Sequence, residues 1–202
     1  MSMPITPSLT QRICARILRI CGWTVVFRWP PVPKCVVIFY PHTSNWDFIW
    51  GVIAYFSLGW PLRFCAKDDW FRWPLGILGR ALGGIPVNRR ERTGFVGQLK
   101  REYERAEEFY VAITPEGTRS RTDHWKSGFY HLALATGTPL GLGFVDYPSR
   151  HIGVDTYIAL SGREEEDLAN FRAYYADKRG CHPELQGDIR FAHAGTRGGD
   201  EP

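Results

Sequence analysis

The sequence predicts an α/β fold: a mixed, mainly parallel sheet covered by helices on both faces, with an amphipathic helix at its N-terminus. Short apolar runs of strand length alternate with longer stretches of helical character, which is typical of parallel sheets buried between helices. Polar clusters follow directly after several apolar runs, where loops beyond the carboxyl ends of parallel strands gather functional groups. At 202 residues, the chain can form one domain with a substantial core.

The N-terminal helix is predicted from its caps and from two stripes of side chains. Ser8 can cap a helix that runs to about Cys21, and Gly22 can end it. At helical spacing, a basic stripe lies beside an apolar one: Arg12, Arg16 and Arg19 beside Ile13, Ile17 and Ile20. This pattern is typical of a helix in the membrane interface, although it also suits a surface helix docked on its own domain. Residues 23–33, "WTVVFRWPPVP", then form a stiff amphipathic connector.

The remaining elements follow from the alternating pattern. The predicted strands are Cys35–Tyr40, Leu62–Ala66, Gly84–Asn88, Phe109–Thr114, Leu140–Tyr147 and His151–Leu160. The predicted helices are Asn45–Ser57, Trp70–Leu82, Thr93–Glu107 and Gly128–Thr136. Roughly the last twenty residues show no clear period, so we expect an irregular C-terminal tail.

The net charge of +4 hides an asymmetry between the two halves of the chain. Residues 1–92 carry 12 Lys and Arg against 4 Asp and Glu, whereas residues 93–202 carry 13 against 17. A basic half suits an anionic partner such as a membrane surface or a phosphorylated substrate. Since the chain has no dense basic run and no recognisable nucleic-acid motif, we expect no nucleic-acid binding.

Cysteine usage and hydropathy limit where the chain could reside. The 5 Cys form no CxxC pair and lie mostly among apolar residues, which fits reduced thiols in a cytoplasm. The N-terminus lacks the charged and apolar regions of a cleaved signal peptide. The longest uncharged run, Phe48–Leu62, has 15 residues against about 20 needed to span a bilayer. We therefore expect this run to be a buried helix.

A histidine and an aspartate stand at the end of the first predicted strand of the sheet. In "YPHTSNWDF", His42 lies in a loop, and Asp47 falls in the first helical turn if Ser44 or Asn45 caps the helix. A loop-to-helix turn can fold this carboxylate back onto the imidazole, which would make His42 a general base with a fixed tautomer. Alternatively, Asp47 only complements the helix N-terminus and His42 is an ordinary loop residue.

Two further polar clusters end later strands. "GGIPVNRR" places Arg89 after one strand, and "TPEGTRSR" places Glu116, Gly117 and Arg119 after the next. Arginine forks match phosphate oxygens, and glycine permits a close approach of the backbone or a positive φ. Each arginine alone is a weak signal, because surface arginines are usually only solvated.

In the order in which these clusters occur along the chain, the sequence resembles the glycerophospholipid acyltransferase family, of the lysophosphatidic acid acyltransferase kind. The resemblance covers about residues 35–147. "HTSNWD" matches the first block of that family, H-x4-D, and "TPEGTRS" is close to its third block, F-P-E-G-T-R-S. "GIPVNR" is similar to the second block and "TPLGLG" to the fourth, a proline-bearing apolar strand. H-x4-D alone is a weak pattern, but together with P-E-G-T-R-S at this spacing it is strong.

The resemblance implies a reaction and the residues that perform it. An acyl group would move from a thioester, on coenzyme A or acyl carrier protein, to a hydroxyl of a lysophospholipid. His42 would deprotonate that hydroxyl, and Asp47 would orient His42. Arg89 would bind the phosphate of the acceptor. The rest of the implied acceptor site is Glu116, Gly117 and Arg119.

The resemblance also implies partners and a location. The default acceptor is 1-acyl-glycerol-3-phosphate, which would give phosphatidic acid; another lysolipid, such as an amino-acid-containing lipid, and a non-catalytic lipid-binding protein of the same fold are alternatives. No cofactor and no metal are implied beyond the thioester donor. We expect the N-terminal helix to hold the protein peripherally on an anionic membrane surface, at the cytoplasmic face of the inner membrane, so that an aromatic-lined tunnel can receive the acyl chain.

The chain is accordingly divided into three parts: residues 1–34 as amphipathic helix and connector, residues 35–180 as acyltransferase domain, and residues 181–202 as irregular tail. Other chemistries lack their signatures within it. Ser44 as a nucleophile has no G-x-S-x-G elbow. Zinc would need three or four converging ligands, whereas the blocks supply one histidine. Lys126 could assist acceptor binding, and His124 and His131 fit structural roles better.

Overall fold

The protein is described by a computed structural model that covers residues 6–71, 75–87 and 92–192. Its strands are β1 (Thr24–Phe27), β2 (Lys34–Phe39), β3 (Leu62–Lys67), β4 (Gly84–Val87), β5 (Phe109–Ile113), β6 (Leu140–Asp146) and β7 (His151–Ile158). Its helices are α1 (Leu9–Ile20), α2 (Asn45–Leu58), α3 (Leu75–Ala81), α4 (Arg92–Arg105), α5 (Gly128–Thr136) and α6 (Glu164–Tyr175). Short 3-10 helices occupy Asp68–Phe71 and Pro183–Leu185.

The strands form one seven-stranded sheet in the order β1-β7-β6-β2-β5-β3-β4. Every neighbouring pair is parallel except β6 and β7, which are joined by a hairpin and run antiparallel. The carboxyl ends of β2, β3, β4, β5 and β6 therefore lie along one edge, and loops that follow them meet there. The predicted mixed, mainly parallel sheet is confirmed.

Helices cover both faces of the sheet, because successive strand residues point to opposite sides. In β2, Val36 and Ile38 pack into the larger core, together with side chains of α4, α5 and α6. Cys35 and Val37 point to the opposite face, which is covered by α1 and α2. The second face borders the cavity described below.

Helix α1 is confirmed as a helix, and its capping box is formed by Ser8 and Gln11. It packs on α2 and buries Leu18, whereas the isoleucine stripe stays exposed. Ile13 is 50% exposed and Ile20 is 74% exposed. The side of α1 that packs against α2 is therefore not the isoleucine face that the sequence pattern identified as apolar.

Two elements differ from the sequence-based expectation. Residues 24–27, assigned to the connector, form strand β1 at the edge of the sheet, and α6 was not predicted. Prolines follow β1 closely, and an edge strand needs apolar residues on one face only. The sequence pattern of residues 24–27 therefore gave only a weak indication of a strand. Helix α6 begins with four acidic residues and buries only a narrow stripe.

Residues on either side of the predicted domain boundaries pack into one unit, since Leu18, Trp23 and Phe191 are buried in its cores.

Gly153 decides whether β1 can join the sheet. It pairs with Val26, and a Cβ atom at Gly153 would stand 1.8 Å from the carbonyl oxygen of Val26. Its φ is +157°, a value that other residues rarely adopt. A side chain at this position would push β1 away from β7.

We expect Gly153→Ala to lower the free energy of unfolding by roughly 2–4 kcal/mol, since strain and a steric clash add up at one site. The measurement is urea unfolding followed by circular dichroism. Gly97→Ala in α4 is the matched control, because a Cβ there meets only Arg101 Nη1 at 3.5 Å. Equal stabilities of the two variants would contradict the account of β1.

Candidate active site

The His42 imidazole and the Asp47 carboxylate meet at the junction of β2 and α2. Ser44 caps α2, and Asp47 closes the reciprocal half of the capping box. Oδ2 of Asp47 accepts hydrogen bonds of 2.8 Å from the backbone N–H groups of Thr43 and Ser44. The same oxygen lies 3.4 Å from Nδ1 of His42. The cap thus folds the carboxylate back onto the loop and beside the imidazole.

The electrostatics of Asp47 favour its ionised form. The residue is buried, which by itself would raise its pKa, but the nearby His42 imidazole and hydrogen bonds from the Tyr147 hydroxyl and the Ser44 backbone outweigh burial and lower the pKa. An ionised carboxylate at this place holds the proton on Nδ1 of the imidazole and stabilises an imidazolium. Nε2 of His42 is then available to a group in the adjoining cavity.

Tyr147 completes the environment of Asp47, and sequence reasoning missed it. It follows β6, and its hydroxyl donates a 2.7 Å hydrogen bond to Oδ1 of Asp47. Burial and the neighbouring carboxylate raise the pKa of Tyr147, so the phenol keeps its proton and remains a donor. Trp23, which follows α1, packs edge-on against the Tyr147 ring. A residue 100 positions away along the chain gave no local signal that could have paired it with Asp47.

Glu116, which the resemblance assigned to the acceptor site, lies in the same region and is held by the backbone. It is 2% exposed and absent from the described walls of the cavity. Its Oε2 accepts a 2.7 Å hydrogen bond from the backbone N–H of His42, and its Oε1 accepts one of 2.9 Å from Gly187. Both oxygens therefore accept hydrogen bonds from backbone N–H groups, and Glu116 joins the histidine loop to Gly187.

Gly117 and Arg119 line the cavity together with His42 and Asp47. Gly117 has a φ of +66°, and a Cβ there would come within 2.8 Å of Nζ of Lys126. The position thus needs glycine for both its backbone conformation and its space. Lys126 lies beside this turn. Arg89 falls outside the described residues, as does its neighbour Arg90.

An apolar cavity of about 370 Å³ starts at this pair and runs beneath α2 along the sheet. Its size falls within the range of about 300–1,000 Å³ that is usual for small-molecule sites. The walls combine sheet residues with one face of α2 and include aromatic side chains: Phe27, Phe39, Phe48, Tyr55, Trp60 and Phe64. Polar side chains, those of His42, Asp47 and Arg119, lie at one end of the cavity, and the rest of its wall is mostly apolar.

The described residues lack two features, a cluster of metal ligands and a membrane-spanning helix. In residues 6–71, 75–87 and 92–192, no group of three or more His, Cys, Asp or Glu side chains could hold a metal ion. Over the same ranges, none of the helices combines the length and the hydropathy that a membrane span requires.

The site thus combines a His–Asp pair at the end of a strand, a glycine turn beside it and an apolar cavity that both of them line. A family model described as "Acyltransferase" matches residues 30–149, and the chain belongs to this acyltransferase family. The family resemblance drawn from the sequence blocks is thereby confirmed. A comparison with curated proteins gave no match.

A solved structure shares the fold. It is the 1-acyl-sn-glycerophosphate (LPA) acyltransferase, PlsC, from Thermotoga maritima, with a TM-score of 0.57 and 16% sequence identity. The similarity covers 83% of this chain and 75% of that one. At this identity, the match shows that the two proteins have the same architecture.

Burial of Glu116 has a consequence for stability. Burial raises the pKa of Glu116 from 4.5 to about 7, and the hydrogen bonds from Gly187 and His42 only partly oppose this. The folded state thus holds a proton more tightly than the unfolded chain. Stability therefore falls as pH rises from about 4.5 to about 7, and this contribution is constant above that range.

We expect Glu116→Gln to remove this pH dependence, because glutamine cannot ionise. Relative to the variant, the wild type should lose roughly 2–3 kcal/mol of unfolding free energy between pH 5 and pH 8. Urea unfolding at both pH values measures the difference. Glu104→Gln, at an exposed position of α4, is the control and should show no such change. A pH-independent difference for Glu116→Gln would contradict the buried-carboxyl interpretation.

Proposed function

We propose that the protein transfers a fatty acyl group from a thioester to a hydroxyl of a lysophospholipid at the membrane surface. The observation that carries the proposal is the shared cavity: His42 and Asp47 open onto the same apolar channel as Gly117 and Arg119. One cavity thus contains the proposed catalytic base, a candidate contact for an anion and space for an acyl chain. The acceptor named by the related structure, 1-acyl-glycerol-3-phosphate, is the first to test.

The mechanism follows from the geometry of the pair. Nε2 of His42 takes the proton of the acceptor hydroxyl as its oxygen attacks the thioester carbonyl carbon. Asp47 holds the opposite nitrogen and supports the resulting imidazolium. The tetrahedral intermediate then expels the thiolate, which takes the proton from His42. The products are an ester and a free thiol, from coenzyme A or acyl carrier protein, and His42 is neutral again.

Substrate binding is divided between the two ends of the cavity. The acyl chain would lie among aromatic and aliphatic side chains under α2, where burial of apolar surface contributes about 25 cal/mol per Å². Arg119 at the mouth would contact the phosphate of the acceptor, with Lys126 nearby. Arg89, by family resemblance, would be a second phosphate contact.

The exposed surface of helix α1 has the composition expected of a helix that attaches a protein to a membrane. Its exposed isoleucines lie beside Arg12, Arg16 and Arg19, so apolar insertion and attraction to anionic lipid can act together. At the start of α2, Trp46 is 55% exposed and Ile49 is 40% exposed, close to the catalytic loop. Such a surface would bring the mouth of the cavity to the lipid phase from which a lysophospholipid is taken.

We expect His42→Ala to lower the rate of acyl transfer by roughly 10²–10⁴-fold, because the general base is lost. The assay combines purified protein, a labelled acyl donor and a panel of lysolipids, with products identified by mass. The panel also tests amino-acid-containing lipids as acceptors. Vesicle binding should be unchanged, which separates an enzyme from a lipid-binding protein.

His124→Ala is the matched control for this experiment. His124 is paired with Asp123 outside the cavity, so its removal should leave the rate close to that of the wild type. Full activity of His42→Ala would exclude the proposed mechanism.

We expect replacement of Arg12, Arg16 and Arg19 by Glu to weaken binding to anionic vesicles at least 100-fold. Each basic residue near such a surface contributes about 1 kcal/mol, and the acidic replacements add repulsion. Co-sedimentation with vesicles at low salt measures the change. The control replaces exposed basic residues of α4, on the opposite face of the sheet, with the same change in charge: Lys100, Arg101 and Arg105 to Glu. Equal loss in both triple variants would assign binding to net charge alone.

A further inference from the structure

The C-terminal segment, residues 180–187, lies against the catalytic loop, although the sequence pattern indicated only an irregular tail. Its last residue, Gly187, donates to Oε1 of Glu116, and Oε2 of the same carboxyl group accepts from the N–H of His42. One buried carboxyl group thus joins the segment to the backbone of the candidate general base. The distances, 2.9 Å and 2.7 Å, are those of well-formed hydrogen bonds.

A second connection reaches the next residue of the loop. The backbone N–H of His182 donates a 3.1 Å hydrogen bond to Oγ1 of Thr43. Thr43 is buried, and its own N–H donates to Oδ2 of Asp47. The segment therefore contacts residue 43, which itself binds the carboxylate that faces the imidazole.

Two glycines let the segment lie this close. A Cβ at Gly180 would stand 2.6 Å from Oγ1 of Thr43, and one at Gly187 would stand 2.7 Å from Cγ2 of Thr122. Real Cβ atoms do not approach other atoms so closely, so any side chain at either position would move the segment away from the loop. The fit depends on the absence of side chains at both places.

The segment is itself held at several points. The Tyr40 hydroxyl donates to the carbonyl oxygen of Gly187 at 2.9 Å, and Gln186 accepts from the N–H of Gly180 at 3.1 Å. Immediately beyond, Phe191 is buried in the main core and pairs with Trp125. These attachments fix residues 180–187 relative to the sheet, so the segment is a rigid support for the loop.

We propose that the C-terminal segment is a positioning element of the active site, which fixes the backbone of residues 42 and 43, through Glu116 and Thr43, and thereby aims the His42 imidazole. The inference rests on the proposed function. General-base catalysis requires the accepting nitrogen within about 3 Å of the hydroxyl proton donor, and a displacement of about 1 Å can cost 10²-fold in rate. The walls of the cavity include none of residues 180–187, so KM should depend little on the segment.

The first test uses Gly187→Ala. We expect kcat to fall about 10- to 100-fold, with KM for donor and acceptor changed by less than about twofold. Rates are measured below the melting transition and divided by the folded fraction, so that instability does not imitate a catalytic loss. Hydrogen exchange followed by mass spectrometry should show faster exchange of the amides of residues 42–44. Gly97→Ala, whose added Cβ meets no close neighbour, should match the wild type in all these measurements.

A rescue variant tests the cause. Thr122→Ser removes the methyl group that the added Cβ would strike and keeps the hydroxyl that bonds to the carbonyl of His124. Combined with Gly187→Ala, it should restore part of kcat and slow the exchange again. A role in overall stability alone would not predict this recovery of kcat after correction for folded protein.

A second pair of variants acts without adding volume. Thr43→Val removes the acceptor for His182 with little change of shape, whereas Thr43→Ser keeps it. The valine variant should lower kcat several-fold with unchanged KM, and the serine variant should stay near the wild type. This pair decides the matter if Gly187→Ala does not fold.

Each result bears on one hypothesis. An unchanged kcat in Gly187→Ala and Thr43→Val overturns the inference, and so does a rise in KM for the lysolipid at constant kcat, which would place the segment in the acceptor site. If the wild type transfers no acyl group, the proposed function fails instead. Hydrogen exchange then still tests the support, because unchanged exchange at residues 42–44 in Gly187→Ala would overturn it independently of activity.

Discussion

The structure of the active-site region depends on the position of one carboxylate oxygen. Oδ2 of Asp47 accepts two backbone N–H groups of the turn that precedes α2, and it also lies beside Nδ1 of His42. The interaction that starts the helix and the one that orients the base are therefore the same. A helix cap is a common local device, and here it gives a loop histidine a fixed direction without any additional element.

Around this oxygen, segments distant in sequence supply the remaining restraints. Tyr147, after β6, satisfies the other oxygen of Asp47, and Glu116, after β5, holds the His42 amide. Both lie at the carboxyl ends of strands that flank β2, so the parallel arrangement of β5, β2 and β6 brings them to one place. The sheet thus acts as the scaffold that converts three separate loops into one site.

The sequence allowed the fold class, the strands β2 to β7 and the position of the His–Asp pair to be predicted, because apolar runs and capping residues are local signals. Tyr147 could not be predicted, since its partner lies 100 residues away. The resemblance assigned Glu116 to the acceptor site, but its two oxygens accept hydrogen bonds from the backbone N–H groups of His42 and Gly187, which only the folded chain brings near. Strand β1 is short, and its pairing depends on the glycine at position 153 of a distant strand.

The place of β1 in the sheet has a consequence for how the protein can diversify. Val25 and Phe27 belong to the far wall of the cavity, and β1 is an edge strand with a neighbour on one side only. Substitutions there would change the depth available to a bound molecule while leaving the His42 loop, several strands away, untouched. Selectivity for the bound molecule, set in part by β1, and catalysis by the His42 loop can therefore evolve independently in this architecture.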